Sequence, residues 1–300
     1  MTYVGRFAPS PTGPLHFGSL IAAVGSCLRA RSVGGRWLVR MEDIDPPREQ
    51  PGAADAILAT LIRYGFEWDG EVMYQSARGD AYDAALAGLR ERGLLFPCTC
   101  TRRDIADAGG VYPGTCRDGL PAGHDADRTP AFRVRSDGPV VRFRDLIQGD
   151  IEEHVETAVG DFVLRRADGL YAYQLAVVVD DAEQGVTEVV RGSDLLDSTA
   201  RQIHLQRLLG VPTPAYLHLP IAVDANGDKL SKQTFAPALP DHDPVFWLVW
   251  VLAFLGQKPP DGLSGASLPE FWDWAIANWR VELVPRKRAI PMADVTQGEV

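Results

Sequence analysis

The chain has 300 residues, 46% of them apolar and 23% charged, with 29 glycines and 22 prolines. That composition excludes disordered and collagen-like classes, and the length sets a prior of two domains with many loops. A net charge of −10 at pH 7 argues against a surface that binds polyanions throughout, while leaving room for a local basic groove.

No run reaches the roughly 18–20 apolar residues of a membrane span. The first residues show no basic stretch followed by an apolar one, so no secretory signal is read. A cytoplasmic location without membrane contact is expected. Tyr3 to Phe7 reads as a short strand, ended by Pro9, Pro11, Gly13 and Pro14. Helical spacing from Leu20 to Ala30 and a strand from Trp37 to Met41 complete a strand–helix–strand unit, which implies a parallel sheet. Helices are expected from Ala53 to Tyr64 and from Ala81 to Arg92.

Residues 96–130 lack periodicity and hold Cys98, Cys100 and Cys116, while Cys27 sits in an apolar helical stretch. Such clustering favours metal or redox chemistry over disulfide stapling. Phe132 to Arg135 and Val140 to Phe143 read as a hairpin turned at residues 136–139. Phe162 to Arg166 and Leu170 to Val179 read as a second strand pair, joined at Asp168-Gly169. A helix from Ser198 to Leu209, capped by Ser198 and ended by Gly210, precedes a strand from Leu219 to Val223. Val245 to Leu255 reads as a buried helix. Phe271, Trp272, Ile276 and Trp279 are spaced for one buried face, with Trp247, Trp250 and Trp274 joining the core.

The expected fold class is α/β. A Rossmann-like parallel-sheet nucleotide-binding core occupies residues 1–95 and 161–238. It is interrupted by a cysteine-bearing insertion at 96–160 and followed by a small C-terminal helical domain at 239–300.

The segment Pro9-Ser10-Pro11-Thr12-Gly13-Pro14-Leu15-His16-Phe17-Gly18-Ser19 follows the first strand, where ligands of open α/β sheets bind. The helix that begins next offers free backbone N–H groups and a dipole suited to phosphate. His16 adds a donor and Gly18 permits close approach of a nucleotide. A lone His-x-Gly is far more often a proline-rich turn with a structural histidine. Lys229-Leu230-Ser231-Lys232 alone reads as a solvated loop. Arginine grips a carboxylate in a bidentate fork, and Arg6 and Arg191 can both face a pocket, but composition alone does not choose them among surface arginines. The three clustered cysteines supply three thiolates where zinc takes four ligands, the fourth being Tyr112, His124 or water. Arg102, Arg103, Arg133, Arg135, Arg142 and Arg144 either touch RNA phosphates or form exposed strand faces.

Taken together, Pro9 to Ser19 resembles the first signature of class I aminoacyl-tRNA synthetases of the glutamate/glutamine branch, with Ser19 replacing the second histidine of His-Ile-Gly-His. Lys229 to Lys232 resembles the second signature, Lys-Met-Ser-Lys-Ser. The resemblance spans roughly residues 1–290. It implies that His16 and Lys232 are catalytic and that His16, Gly18, Lys229, Ser231 and Lys232 bind ATP, accompanied by Mg2+. Lys232 would stabilise charge on the departing pyrophosphate. It further implies an L-glutamate pocket of Arg6, Phe7, Ala8, Pro9, Ser10, Glu42, Tyr173 and Arg191, with Glu42 taking the ammonium. A structural zinc would be held by Cys98, Cys100, Tyr112 and Cys116, the last two in Tyr-x-x-x-Cys spacing.

The residues after Lys232 suffice for one small helical unit, not for an anticodon-binding domain. That shortness, the cysteine pattern and the His16-Phe17-Gly18-Ser19 variant resemble the truncated branch, the glutamyl-Q tRNA(Asp) synthetases. The implied activity is ATP-dependent, tRNA-independent activation of glutamate to glutamyl-adenylate. Transfer would follow to the queuosine base in the anticodon loop of tRNA(Asp), carried out by a monomer. Three alternatives stand beside it: a short glutamyl-tRNA synthetase charging an acceptor end, a catalytically silent synthetase-like RNA-binding or regulatory protein, and a small-molecule ligase or nucleotidyltransferase.

Overall fold

A computed structural model of the chain describes residues 2–121, 127–224, 227–228 and 237–292. The first elements are β1 (Val4–Phe7), α1 (Phe17–Arg31), β2 (Arg36–Met41), α2 (Ala53–Arg63), β3 (Met73–Tyr74) and α3 (Gly79–Glu91). Next come β4 (Leu95–Cys98), α4 (Arg102–Asp107), β5 (Ala131–Val134), β6 (Val141–Asp145), β7 (Gly149–Glu153), α5 (Val155–Ala158) and β8 (Phe162–Arg165). The chain then forms α6 (Tyr173–Glu183), β9 (Glu188–Gly192), α7 (Thr199–Leu209), β10 (Ala215–Leu219) and β11 (Ile221–Val223). It continues through α8 (Pro244–Phe254), α9 (Leu268–Asn278) and β12 (Ala289–Pro291).

β1 pairs parallel with β2, and β2 with β3. β9 pairs parallel with β10, and β10 with β6, which turns antiparallel into β7. Thr187 donates its N–H to Val4 O at 2.9 Å, so the two sheets meet along β1 and β9. From that junction the chain runs outward both ways, β1 to β2 and β9 to β10, which makes it a topological switch point. β4, β5 and β8 form a separate antiparallel sheet.

Strand alternation assigns the sides. Phe7, Trp37, Val39, Met41 and Val190 face one apolar cluster with α1 and α2, and Leu248, Leu252, Phe271 and Trp279 from α8, α9 and the residue after it belong to the same cluster. The last helices therefore bury their faces against the core of β1, β2 and α1. Trp272 also donates its indole N–H to Tyr64 O at 3.1 Å. Trp279 is fully buried, whereas Trp247, Trp250, Trp272 and Trp274 pack at the edge of the cluster. Gly25 lets α1 lie directly on β10: a Cβ there would meet Leu219 Cδ1 at 2.5 Å. The opposite side holds a second cluster around Leu86, Val134, Phe162, Leu175, Val189 and Ile203.

The structure differs from the sequence reading at four points. The strand expected from Leu170 to Val179 does not form: from Tyr173 the chain is helix α6, which runs on to Glu183. Buried Asp180 and Asp181 explain why: a helix lets both neighbours reach buried partners, Asp181 the strand arginines Arg6 and Arg40 and Asp180 the side chains of Gln75, Arg78 and Tyr82, while a strand would send them to opposite faces. Residues 132–143 are not a hairpin. Asp161 takes the Ser136 N–H at 2.8 Å and its hydroxyl at 3.0 Å, so β5 stays between β4 and β8 while β6 joins the parallel sheet. Ser198 makes no cap bond to α7 and instead accepts from Gln174 Nε2 at 3.1 Å; Gly210 does end the helix, at φ 70°. The strand expected from Leu219 to Val223 breaks at Pro220 into β10 and β11, because proline lacks the N–H to continue a ladder.

Because α8 shares the core of β1, β2 and α1, Leu252→Ala should cost about 2–5 kcal/mol and leave one cooperative urea transition. Circular dichroism and tryptophan fluorescence would check this, and an independent early transition of the C-terminal helices would contradict it.

Candidate active site

The strand residues that point away from the first cluster carry the charge. Arg6 on β1, Arg40 on β2 and Arg191 on β9 are all buried, and α6 packs over this side. Buried cations need partners. Asp181 of α6 accepts from Arg6 Nε at 3.0 Å and Nη2 at 3.3 Å, and pairs with Arg40 Nη2 at 2.7 Å. Burial pushes the Asp181 carboxyl up, but Arg6 and Arg40 outweigh it and hold it below the usual range. Glu42, just past β2, lies 3.5 Å from Arg40. There burial wins over the pull of Arg40 and Arg6, and the carboxyl is raised.

Arg191 is held differently. Its Nε donates to His218 Nε2 at 3.0 Å, Nη1 to the Tyr173 hydroxyl at 3.3 Å, and Nη2 to Thr199 Oγ1 at 2.9 Å and Leu195 O at 3.2 Å. All four partners are uncharged acceptors. Behind the imidazole, His218 Nδ1 contacts Asp145 Oδ2 at 2.7 Å.

The ends of β1, β2, β9 and β10 enclose a cleft of about 440 Å³. Arg6, Phe7, Ala8, Pro9, Ser10, His16, Gly18, Glu42, Tyr173 and Arg191 all line it, so the structure brings these expected residues to one place. Thr12 and Ser19 of the signature segment line it as well, as does Asp194, which the sequence did not single out. His16 is the N-cap of α1, and its Nδ1 accepts the Ser19 N–H at 3.4 Å. The first turn of α1 has no acidic residue, and its Gly18 and Ser19 line the cleft, a position electrostatically suited to an anion. Lys229, Ser231 and Lys232 lie outside the described residues.

Cys98, Cys100 and Cys116 converge with their sulfurs within 4.8 Å of one another. Cys100 and Cys116 are 3.7 Å apart, and Tyr112 Oη is 3.5 Å from Cys98 Sγ. Tetrahedral zinc, with bonds of about 2.3 Å to sulfur and 2.0 Å to oxygen, spaces such donors by about 3.8 and 3.5 Å. The four side chains fit that ion. His124 lies outside the described residues. Gly160 allows the loop to close, since a Cβ there would strike Tyr112 O at 2.6 Å.

Among the six arginines near this region, Arg133 faces neither RNA nor solvent. It is buried, lies 4.2 Å over the Tyr112 ring and donates to Cys98 Sγ at 3.2 Å. Burial pushes the Cys98 thiol up, but contact with the Tyr112 hydroxyl and the Arg133 guanidinium outweighs it and brings the group down. Arg142 pairs with Glu152 across β6 and β7 on an exposed face, and Arg103 pairs with Asp107.

Sequence reasoning missed Arg40, Asp145, Asp181 and His218. Alternation along β2 and β10 was a usable signal for Arg40 and His218, because each falls on the same side as Arg6 and Arg191.

A family model for tRNA synthetases class I (E and Q), catalytic domain, matches residues 3–241. The chain is 58% identical over 291 residues to a glutamyl-Q tRNA(Asp) synthetase of Aromatoleum aromaticum, covering 95% of this chain and 91% of that protein. It is 57% identical over 296 residues to one from Dechloromonas aromatica, covering 96% and 97%. The fold is similar to a glutamate-tRNA synthetase of Elizabethkingia anophelis, with a TM-score of 0.81 at 25% identity, over 98% of this chain and 69% of the other. No helix among the described residues is long and apolar enough to cross a membrane. With the signature segment at the mouth of the switch-point cleft and nearly full-length likeness to these relatives, the chain belongs to the class I tRNA synthetases of the E and Q type, within the glutamyl-Q tRNA(Asp) synthetase family.

Proposed function

We propose that the cleft activates L-glutamate with ATP and that the glutamyl group passes to the queuosine base in the anticodon loop of tRNA(Asp). The observation that carries this reading is Arg191, a buried cation at the cleft wall whose hydrogen bonds to His218, Tyr173, Thr199 and the Leu195 carbonyl all go to neutral groups. A carboxylate side chain entering the cleft supplies the missing anion in a charge-assisted bond. Glu42 receives the substrate ammonium, which offsets the burial that raises its carboxyl. Arg6, fixed by Asp181, lines the pocket with Phe7, Ala8, Pro9, Ser10 and Tyr173.

ATP lies with its phosphates toward the N-terminus of α1, against His16 and Gly18, with Mg2+ accompanying them. The glutamate α-carboxylate attacks the α-phosphorus, forming glutamyl-adenylate and releasing pyrophosphate. Lys232, with Lys229 and Ser231 in the same loop, stabilises the charge on the leaving phosphates. A hydroxyl of the queuosine cyclopentenediol then attacks the acyl carbon, giving an ester and AMP. The names of the relatives at 58% and 57% identity support the queuosine acceptor. The reaction would take place in the cytoplasm, and the chain would act as a monomer, since one chain supplies the lining of the cleft. Zinc bound by Cys98, Cys100, Tyr112 and Cys116 would be structural, because no step of adenylation uses it.

Glutamate-dependent ATP–pyrophosphate exchange should proceed without tRNA, and labelled glutamate should reach tRNA(Asp) only when queuosine is present. Transfer to an unmodified transcript would sink the assignment. Arg191→Ala should lower kcat/KM for glutamate by about 100-fold or more, while ATP binding measured by calorimetry stays near the unaltered value. Lys232→Ala should lose exchange yet retain glutamate binding; undiminished exchange would mean the loop lies elsewhere. The purified protein should hold one zinc, and Cys116→Ser should lose it together with several degrees of Tm. Equal zinc content in the variant would refute the metal site.

A further inference from the structure

Arg6 and Arg191 flank the same cleft, yet their charges are treated in opposite ways. Arg6 spends its fork on Asp181, at 3.0 and 3.3 Å. Arg191 has a carboxylate close by as well, but an imidazole stands between them. Asp145 Oδ2 contacts His218 Nδ1 at 2.7 Å, and His218 Nε2 meets Arg191 Nε at 3.0 Å. His218 and Arg191 are register partners on β10 and β9, so the contact is built into the sheet.

The hydrogen-bond logic fixes the tautomer. A guanidinium can only donate, so Nε2 must carry the lone pair and the ring proton must sit on Nδ1, pointing at Asp145. Thr199 Oγ1, 3.3 Å from the same nitrogen, can donate to it too. Asp145 is itself immobilised by the backbone N–H groups of Ile147 at 3.0 Å, Gln148 at 2.8 Å and His218 at 3.1 Å. The ring stacks on Tyr216, with planes 9° apart and centroids at 6.1 Å. A second proton on His218 would remove the acceptor and set a cation against Arg191. Burial, the largest influence, holds the imidazole below its ordinary range despite Asp145.

We infer that His218, oriented by Asp145, is a positioning residue that aims Arg191 while keeping its charge free for an anionic substrate side chain. A carboxylate placed directly on Arg191 would offset its charge, as Asp181, shared with Arg40, does in part for Arg6. A neutral acceptor orients the fork without consuming its charge. The relay therefore sets the preference for glutamate over glutamine. This inference rests on the glutamate reading above.

Two substitutions separate the two ends of the ring. Gln at 218 can present Oε1 where Nε2 stood, so His218→Gln keeps an acceptor for Arg191. Asn can present its amide where Nδ1 stood, so His218→Asn keeps the donor to Asp145 and loses the acceptor. In exchange assays on the full chain, His218→Asn should raise KM for glutamate by about tenfold or more and narrow the glutamate/glutamine ratio, with KM for ATP unmoved. His218→Gln should recover most of that loss. Nitrogen-15 spectra of the histidine-labelled protein should show His218 neutral at pH 7, protonated on Nδ1 only, a readout that needs no variant to fold. Equal KM for glutamate in both variants and the unaltered protein, or a proton on Nε2, would overturn the relay alone. Failure of the unaltered protein to exchange with glutamate would overturn the glutamate reading and the relay with it.

Discussion

Asp181 joins two buried guanidinium groups to one helix, and the geometry of the cleft follows from that junction. Arg6 and Arg40 stand on adjacent parallel strands, on the side away from the apolar cluster that contains Phe7 and Trp37. Neither could stay buried and charged without an anion. α6 supplies it, and in doing so lays Tyr173 against Arg191 at the other end of the same helix. Since the Asp181 carboxyl is held low in the folded chain, its stabilisation is present above its unfolded pKa. It is lost as pH falls through the folded value. Acid therefore loosens the helix that closes the pocket.

What could be read from the sequence followed the range of the signals. β1, α1 and β2 were legible because prolines, glycines and helical spacing act over a few residues, and the same locality exposed the His16 segment and the cysteine spacing. α6 was misread because Val177-Val178-Val179 has strand propensity, which tertiary pairing overrode. Its two aspartates find partners far away: Asp180 accepts from Gln75 and Tyr82, and Asp181 from Arg6 across 175 positions. Nothing near Asp181 or Asp145 in the chain announces such pairings. His218 was hidden for the same reason, since its acid partner lies 73 positions away.

The cysteine cluster shows a similar division between donor set and frame. Three thiols and a phenol are local features, but Asp161 holds the loop that carries them. Its carboxylate accepts from Arg117 through two contacts of 2.8 Å and from Ser136, while its backbone carbonyl accepts from Arg133 at 2.8 Å. Arg133 in turn lies over Tyr112 and reaches Cys98. The frame is assembled by protein groups before any ion is considered, and a cation beside two anionic donors reduces the repulsion that three thiolates and a phenolate would otherwise build up.

The unequal fates of Arg6 and Arg191 bear directly on selectivity. Glutamate and glutamine share size and shape, so packing alone cannot separate them; discrimination has to come from charge and from unpaired polar groups. With Arg6 paired to Asp181, Arg191 would be, among the described residues lining the pocket, the guanidinium left without a carboxylate contact. Glutamate answers it. Glutamine brings a dipole and leaves a buried charge uncompensated, a state that costs several kilocalories in a low-dielectric setting. A direct Asp145–Arg191 pair would erase that difference, and the interposed imidazole preserves it.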